Sequence, residues 1–481
     1  MPLSPDERRY LRLAKRDAVR VQDQVDRMNR GLAKVRLLRA CALGDGIESL
    51  EPTVALDERH LQAAIAGRVT AFIPASGAAS RLLAGLEQVD QPDLRALKIA
   101  ALQNPRLRPA LAVISDWRSL AAADDLEAGE SPQEIADVLL STYNDIPKAL
   151  VPFHRYPGGT RTPFEEHLID GARLLADASG AVRQHFTVSV EHLRDFERAL
   201  AEARTKYEAH FKVRFKTTFS VQDPATDTVA LDENGRLVWE NQQILFRPGG
   251  HGALLENLSR VGGDIVFVRN IDNVGTDLTR ARGVLWRSML SGLLLALQDR
   301  VHSLIRKVEK DVPGALEDAQ RFLMERFHDS LRDTSDLREG VLERLQRPIR
   351  ICGMVKNDGQ PGGGPFFVEG QRGPQIVEQA EIDLDDVEQR VIWESATHFN
   401  PVDMVVGLKD YLGRPWDLVR YADAERVLIS DKPHGGGTIR VLEHPGLWNG
   451  GMAHWNSVFV EIPRELFLPV KTLSDLLKGE R

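Results

Sequence analysis

The chain has 481 residues, 42% hydrophobic and 27% charged, with a formal net charge of -8. This balance excludes a disordered or fibrous chain and a broad basic surface for nucleic acid. Two cysteines, Cys41 and Cys352, exclude a disulfide framework and a four-thiolate zinc site. No apolar run of about 18 residues is present to cross a membrane. The N-terminus lacks an apolar signal core. A cytoplasmic protein without membrane or nucleic-acid partners is expected.

Residues 5–39 read as helix, because Val21, Val25, Met28, Leu32 and Val35 recur at three- and four-residue spacing. Near residue 70 the texture changes. Strand candidates lie at 69–74, 185–190, 213–219, 237–245, 264–270, 349–355 and 375–378. Helical stretches separate several of them, which predicts an α/β layered domain on a parallel or mixed sheet. Residues 280–346 break the alternation, with Leu285, Met289, Leu293 and Leu297 as one stripe. They read as a helical insertion. The expected division is a helical segment at 1–66 and a sheet domain at 67–481. That domain holds the insertion and a C-terminal subregion at about 347–481. The glycine runs at 359–364 and 435–437 read as loops.

Five motifs could carry chemistry. Residues 72–81, FIPASGAASR, run from an apolar strand into small residues and then a helical pattern near Leu82. Small side chains let backbone approach a phosphate, a helix N-terminus offers N–H groups, and Arg81 adds a charged fork. An ordinary strand–helix turn has the same pattern. In PKALVPF at 147–153, Lys148 lies in an extended stretch and could face a phosphate or solvent. FRPGGHGALLEN at 246–257 places three glycines before a helix, as a ligand contact or a plain turn. DIVFVRNIDN at 264–273 is an apolar strand ending in Asp272, where a carboxylate suits Mg²⁺ or an Asx turn. FLPVKTLSDLL at 467–477 reads as an extended step at Lys471, then a helix capped by Ser474. Cys352 lies in an apolar strand and reads as a buried, inert thiol.

The order of these motifs is more specific than any one of them. ASGAASRL at 75–82 resembles the AGGxGTRL loop of sugar nucleotidyltransferases, with Ser76 for the first Gly and Ala79 for the last. PKALVP at 147–152 resembles their PKALLPV segment. FSVQ at 219–222, with Pro224, Asp227 and the PGGHG segment, is similar to the uridylyl-binding stretch of eukaryotic-type UDP-sugar pyrophosphorylases. NIDN at 270–273 is similar to their metal-binding Asp strand. QIVEQAEI at 375–382 and HFNPVD at 398–403 resemble the VVEYSEI and FNxxN stretches of UDP-N-acetylhexosamine pyrophosphorylases. The C-terminal FLPVKTLSDLL is close to the FLPVKxxSDLL of UDP-glucose pyrophosphorylases. The whole chain also resembles a bacterial family catalogued as a domain of unknown function, which shares PASGAASR, FRPGGHGALLENL and LWNGGMAHWN.

The resemblance implies a Rossmann-like, GT-A-like mixed-sheet nucleotidyltransferase core. The implied reaction joins a nucleoside triphosphate, UTP favoured, to a sugar-1-phosphate with Mg²⁺, releasing pyrophosphate. It implies Arg81, Lys148 and Lys471 as catalytic residues and Asp272 as the metal ligand. It implies Ala75, Ser76, Gly77, Ala78, Gln222, Gly249, Gly250 and His251 at the nucleotide. Glu378, Asn400 and Asp403 would face the sugar, Asp403 replacing the relatives' Asn with a negative charge. The signature loop has lost glycines, and the chain ends ten residues after Lys471, without the C-terminal β-helix of UDP-glucose pyrophosphorylases. A non-catalytic nucleotide-sugar sensor, or a helical scaffold on the same fold, are the alternative readings.

Overall fold

The computed structural model describes residues 2–32, 34–91, 93–123, 131–331, 335–359, 362–399, 403–435 and 437–477, and at Arg81 the backbone only. Among these residues nine strands form the main sheet: β1 (Ala42–Leu43), β2 (Gly46–Ser49), β3 (Val69–Pro74), β4 (Ala181–Thr187), β5 (Arg214–Ser220), β6 (Ile265–Arg269), β7 (Ile349–Met354), β8 (Asp403–Gly407) and β9 (Asn456–Glu461). Their order in space is β1-β2-β9-β7-β8-β6-β3-β4-β5. β8 runs antiparallel to both its neighbours, and the other pairs are parallel. The central strands β6, β7 and β8 are buried at every residue. They are therefore apolar almost throughout, because layers cover both faces of the sheet.

The strand expected at 69–74 coincides with β3, that at 264–270 is one residue too long at each end, and that at 349–355 one residue too long at its end. The run at 237–245 is instead a tight hairpin of Trp239–Glu240 and Gln243–Ile244. Asn241 and Gln242 turn it with φ of 47° and 64°, the paired positive values of a hairpin turn that follows strand twist.

The helix expected over 5–39 is two helices, Pro5–Leu13 and Ala18–Arg30. Lys15 at φ 54° breaks the first, and the Asp17 carboxylate caps the second. Gly31 at φ 77° ends it, so Leu32 and Val35 lie outside the helix. Leu11, Val21, Val25 and Met28 pack on Val229, Leu231 and Leu442, which belong to a separate four-stranded sheet. Residues before 66 also supply β1 and β2, so this segment is a structural part of the main sheet.

The 280–346 stretch contains all but the first three residues of a 33-residue helix, Asp277–Glu309, and the helices Ala315–Phe327 and Leu337–Leu345. The long helix is a layer of the sheet domain: Leu290, Leu294, Leu297, Val301, Leu304 and Ile305 share one core with Ile265, Ile351 and Val405. Its Gly292 crosses the Val54–Ile65 helix so closely that a Cβ there would overlap the Leu56 carbonyl. Gly292→Ala is expected to destabilise the fold by about 1–3 kcal/mol, as overpacking against rigid backbone outweighs the roughly 1 kcal/mol helix preference of Ala. Urea denaturation measures this; an unchanged midpoint would refute the close crossing.

Candidate functional site

The chain leaves β3 outward to β4 and β5, then returns to β6 on the other side of β3. The carboxyl ends of β3 and β6 therefore open at a topological switch point, where open α/β sheets place their ligands. Residues 75–82 follow β3, and residues 270–274 follow β6.

Three residues far apart in sequence meet there. Lys148 Nζ is 2.7 Å from Asp272 Oδ2, and Lys471 Nζ is 3.1 Å from the same oxygen. Backbone hydrogen bonds set this convergence. Lys148 N–H donates to Gly77 O at 3.1 Å, and Ala79 N–H donates to Ile146 O at 3.3 Å. Val470 N–H donates to Asp272 O at 3.1 Å, and Leu473 N–H to Leu82 O at 3.1 Å. Asn273 clamps the C-terminal segment, its Oδ1 accepting from Leu468 N–H at 2.8 Å. Leu82, Leu83, Leu86, Val274, Val470 and Leu473 then share a second apolar core beneath the three segments.

Burial pushes the Asp272 carboxyl up, but the two ammonium groups outweigh it and hold it below its usual value. Burial pushes the Lys148 ammonium down, and Asp272 restores only part of that. The Lys148 side chain is 12% exposed and that of Lys471 62% exposed. Lys148 is thus a largely desolvated cation, and Lys471 an exposed one at the rim.

The loop at 75–78 has the character a phosphate cradle needs. Ala75 is buried, tied to Thr187 O at 2.8 Å, whereas Ser76, Gly77 and Ala78 are exposed. A Cβ at Gly77 would meet nothing within 4 Å. Among the described residues, the N–H groups of Ser76, Gly77 and Ala78 have no backbone or side-chain acceptor. The helix expected from Leu82 is absent: residues Ala79–Arg81 make one 3₁₀ turn, and the next α-helix starts at Leu94. Gly85 at φ 94° breaks the run, packed where a Cβ would strike Arg106 O. No helix dipole therefore reinforces this loop. Nor does Ser474 cap the final helix; Thr472 does, in a capping box with Asp475.

Gln222 lies just beyond β5 at the same edge, and its Nε2 is buried without a partner among the described residues. Thr187 Oγ1, Ser189 Oγ and Asn257 Oδ1 are buried and unpartnered too. Asn257 Nδ2 binds Ser220 Oγ at 2.7 Å and Val221 O at 2.9 Å, which ties it to the end of β5. Buried polar groups are normally paired, and this group is joined to the loop at 75–78 through the hydrogen bond from Ala75 N–H to Thr187 O. Thr187, Ser189, Asn257 and Asn273 were not singled out from sequence. Lone polar residues carry no pattern until strands align them.

The remaining expected residues are placed differently. Cβ atoms at Gly249, Gly250 and Gly252 would overlap His444, Glu443 and Pro445, so these glycines permit close packing on the 443–446 loop. His251 stacks on Trp448 at 4.8 Å and accepts from Leu447 N–H at 3.0 Å. Burial lowers its pKa. Glu378 opens a 3₁₀ turn, paired in a capping box with Glu381. Asn400 lies outside the described residues; its neighbour Phe399 packs on Phe467 at 5.2 Å. Asp403 does not present its charge to a pocket. It is 2% exposed and pairs with Arg287 at 3.0 Å and Arg269 at 3.3 Å. Cys352 is buried, its thiol pushed up to about 11 by burial.

The mixed α/β fold is similar to that of the uridine diphosphate N-acetylglucosamine pyrophosphorylase from Trypanosoma brucei. The two share 13% identity over 99% of this chain and 79% of that one, with a TM-score of 0.50. The UDP-glucose pyrophosphorylase from Leishmania major shares 13% identity over 98% of this chain and 77% of its own, with a TM-score of 0.45. An Entamoeba histolytica protein assigned as a UDP-N-acetylglucosamine pyrophosphorylase shares 12% identity over 88% and 82%, with a TM-score of 0.45. The resemblance read from the motifs thus holds at the level of the fold. No helix among the described residues is long and apolar enough to cross a membrane. No curated protein matches the chain by sequence. One family model spans nearly the whole chain, residues 5–481, and the protein belongs to that family, described as Domain of unknown function (DUF4301).

Proposed function

We propose that this protein is a nucleotidyltransferase that joins a nucleoside triphosphate, UTP favoured, to a sugar-1-phosphate. The observation that supports it most directly is the convergence of Lys148 and Lys471 on Asp272 beside the open loop at 76–78. An oxygen of the sugar phosphate attacks the α-phosphorus. A new P–O bond forms, the α–β phosphoanhydride breaks, and pyrophosphate leaves with the electron pair. The attacking oxygen is already anionic at neutral pH, so no general base is needed. The obstacle is repulsion between two polyanions, and catalysis is positioning and charge neutralisation.

Lys148 and Lys471 exchange Asp272 for phosphate oxygens when the substrates enter. The N–H groups of Ser76, Gly77 and Ala78 hold the nucleotide phosphates, and Arg81 holds the leaving end. Gln222, with Thr187 and Asn257, reads the base edge. Glu378 and Asn400 keep the sugar-side role that the resemblance implies, whereas Asp403 is paired in the interior with Arg269 and Arg287.

Mg²⁺ fits this donor set in one way. Asp272 is a hard oxygen donor, and no group of three metal-ligating side chains occurs among the described residues. One carboxylate with substrate phosphates is a normal Mg²⁺ environment. Asp272 would hold the ion, which when bound adds positive charge at the phosphates.

Purified protein supplied with UTP, Mg²⁺ and a panel of sugar-1-phosphates is expected to release pyrophosphate. Nucleotide binding by calorimetry without release would select the sensor reading. Neither release nor binding with any triphosphate would refute the proposal.

A further inference from the structure

A cavity of about 640 Å³ opens at the opposite edge of the main sheet from the switch point. Arg347 lies two residues before β7, and His454 two before β9. Arg414, Trp416 and Arg420 lie beyond β8, whose Gly407 pairs with Ile349 at the start of β7. β7 is parallel to β3 and β6 through the antiparallel β8. The cavity is therefore at the amino-terminal edge, and Lys148, Asp272 and Lys471 at the carboxyl edge. A five- or six-residue strand keeps the two about 17–20 Å apart.

Four arginines, 347, 372, 414 and 420, line the cavity, and Glu343 is the one carboxylate among the lining residues. Glu343 is shared: it pairs with Arg347, with Arg344 at 2.8 Å and with Arg372 at 3.4 Å. Asp410, outside the lining, holds Arg414 at 2.7 Å. Arg420 has no carboxylate partner among the described residues. Asp423, also outside the lining, binds Gln371 at 3.0 Å. Among the described lining residues, arginines outnumber carboxylates four to one.

Its shape is held in place. Arg347 is 8% exposed and fixed by Glu343. Gly370 and Gly373, at φ 70° and 65°, turn the loop that presents Arg372. Tyr421 OH donates to Gln346 O at 3.3 Å, and the Tyr421 ring meets Trp416 edge-on at 5.5 Å. Guanidinium forks match phosphate oxygens bidentately, and the aromatic wall gives a less polar face for the rest of a ligand. The volume is that of a small-molecule site.

We propose that this cavity is a second binding site, for a small phosphorylated ligand carrying at least two negative charges, separate from the switch-point site. Inorganic pyrophosphate is the probe, titrated calorimetrically into the full chain. Lys148→Ala is expected to retain a pyrophosphate site. In that background, Arg372→Ala with Arg420→Ala should weaken it about tenfold or more, as charge-assisted hydrogen bonds are lost. Arg420→Ala alone, at an exposed position, should weaken it in the same direction while the melting temperature stays that of the parent. The fluorescence change on titration should vanish in Trp416→Phe. Loss of all pyrophosphate binding in Lys148→Ala, or unaltered affinity in the arginine variants, would overturn the proposal. The lysine arm reads the switch-point site and the arginine arm reads the cavity, so the two readings fail separately.

Discussion

Lys148→Ala is expected to lower pyrophosphate release by on the order of 10²–10³, the usual effect of removing one preorganised charge-stabilising contact. The fold should survive, because Lys148 touches solvent and Asp272 keeps its pairing with Lys471. Lys471→Ala should cost less, since its side chain is 62% exposed and its charge is screened. The pH profile tests the same residue. Burial sets the Lys148 pKa below the ordinary value of 10.5. Raising pH through that lowered value removes the cation, so kcat/KM of the free enzyme should fall on an alkaline limb centred below 10.5. Lys148→Arg should move that limb upward, because a guanidinium stays charged. Full activity of Lys148→Ala would remove this residue from the mechanism.

Arg280→Met should cost about 3–5 kcal/mol of stability, read from denaturant unfolding. Arg280 is fully buried and pairs with Glu166 and Asp170, both also buried. Burial pushes the Asp170 carboxyl up, but Arg269, Arg287 and Arg280 outweigh it and hold it well below its usual range. Asp170 also binds Arg269 at 2.7 Å and Arg287 at 3.2 Å, and both arginines pair with Asp403. His154 and Tyr156 bind Glu166 at 2.8 and 2.7 Å. Removing one guanidinium leaves two carboxylates in a dry interior with less compensation. The network stands directly under the site, since Arg269 Nη2 donates to Asn273 O at 3.3 Å. A loss below 1 kcal/mol would mean that water or a neighbouring arginine replaces Arg280 there.

The motifs that meet at the switch point were legible because each is local. The apolar run before the small residues at 75–78 marked β3, and the run before Asp272 marked β6. Lys148 between prolines and Lys471 after Pro469 stood out by type and by order. The buried network was not legible. Glu166 and Asp170 belong to no motif, Arg280 and Arg287 fall in the stretch read as a helical insertion, and Asp403 was expected at the sugar. Their partners lie about 100 residues away, and no periodicity encodes such pairings. The arginine cavity escaped for the same reason: its four arginines come from three separate loops.

Length and composition marked a globular chain, and the ordered motifs pointed to the mixed α/β fold that the structure shares with the Trypanosoma brucei pyrophosphorylase. Those are properties of composition and local pattern, which propensity and burial read directly. Only the tertiary structure decided that Lys148 and Lys471 share one oxygen of Asp272, that Asp403 is neutralised in the interior, and that the PGGHG glycines serve packing. Each depends on which strand lies beside which. Side chains distant in sequence acquire a charge environment only once the sheet order, with its reversal between β3 and β6, has set their neighbours.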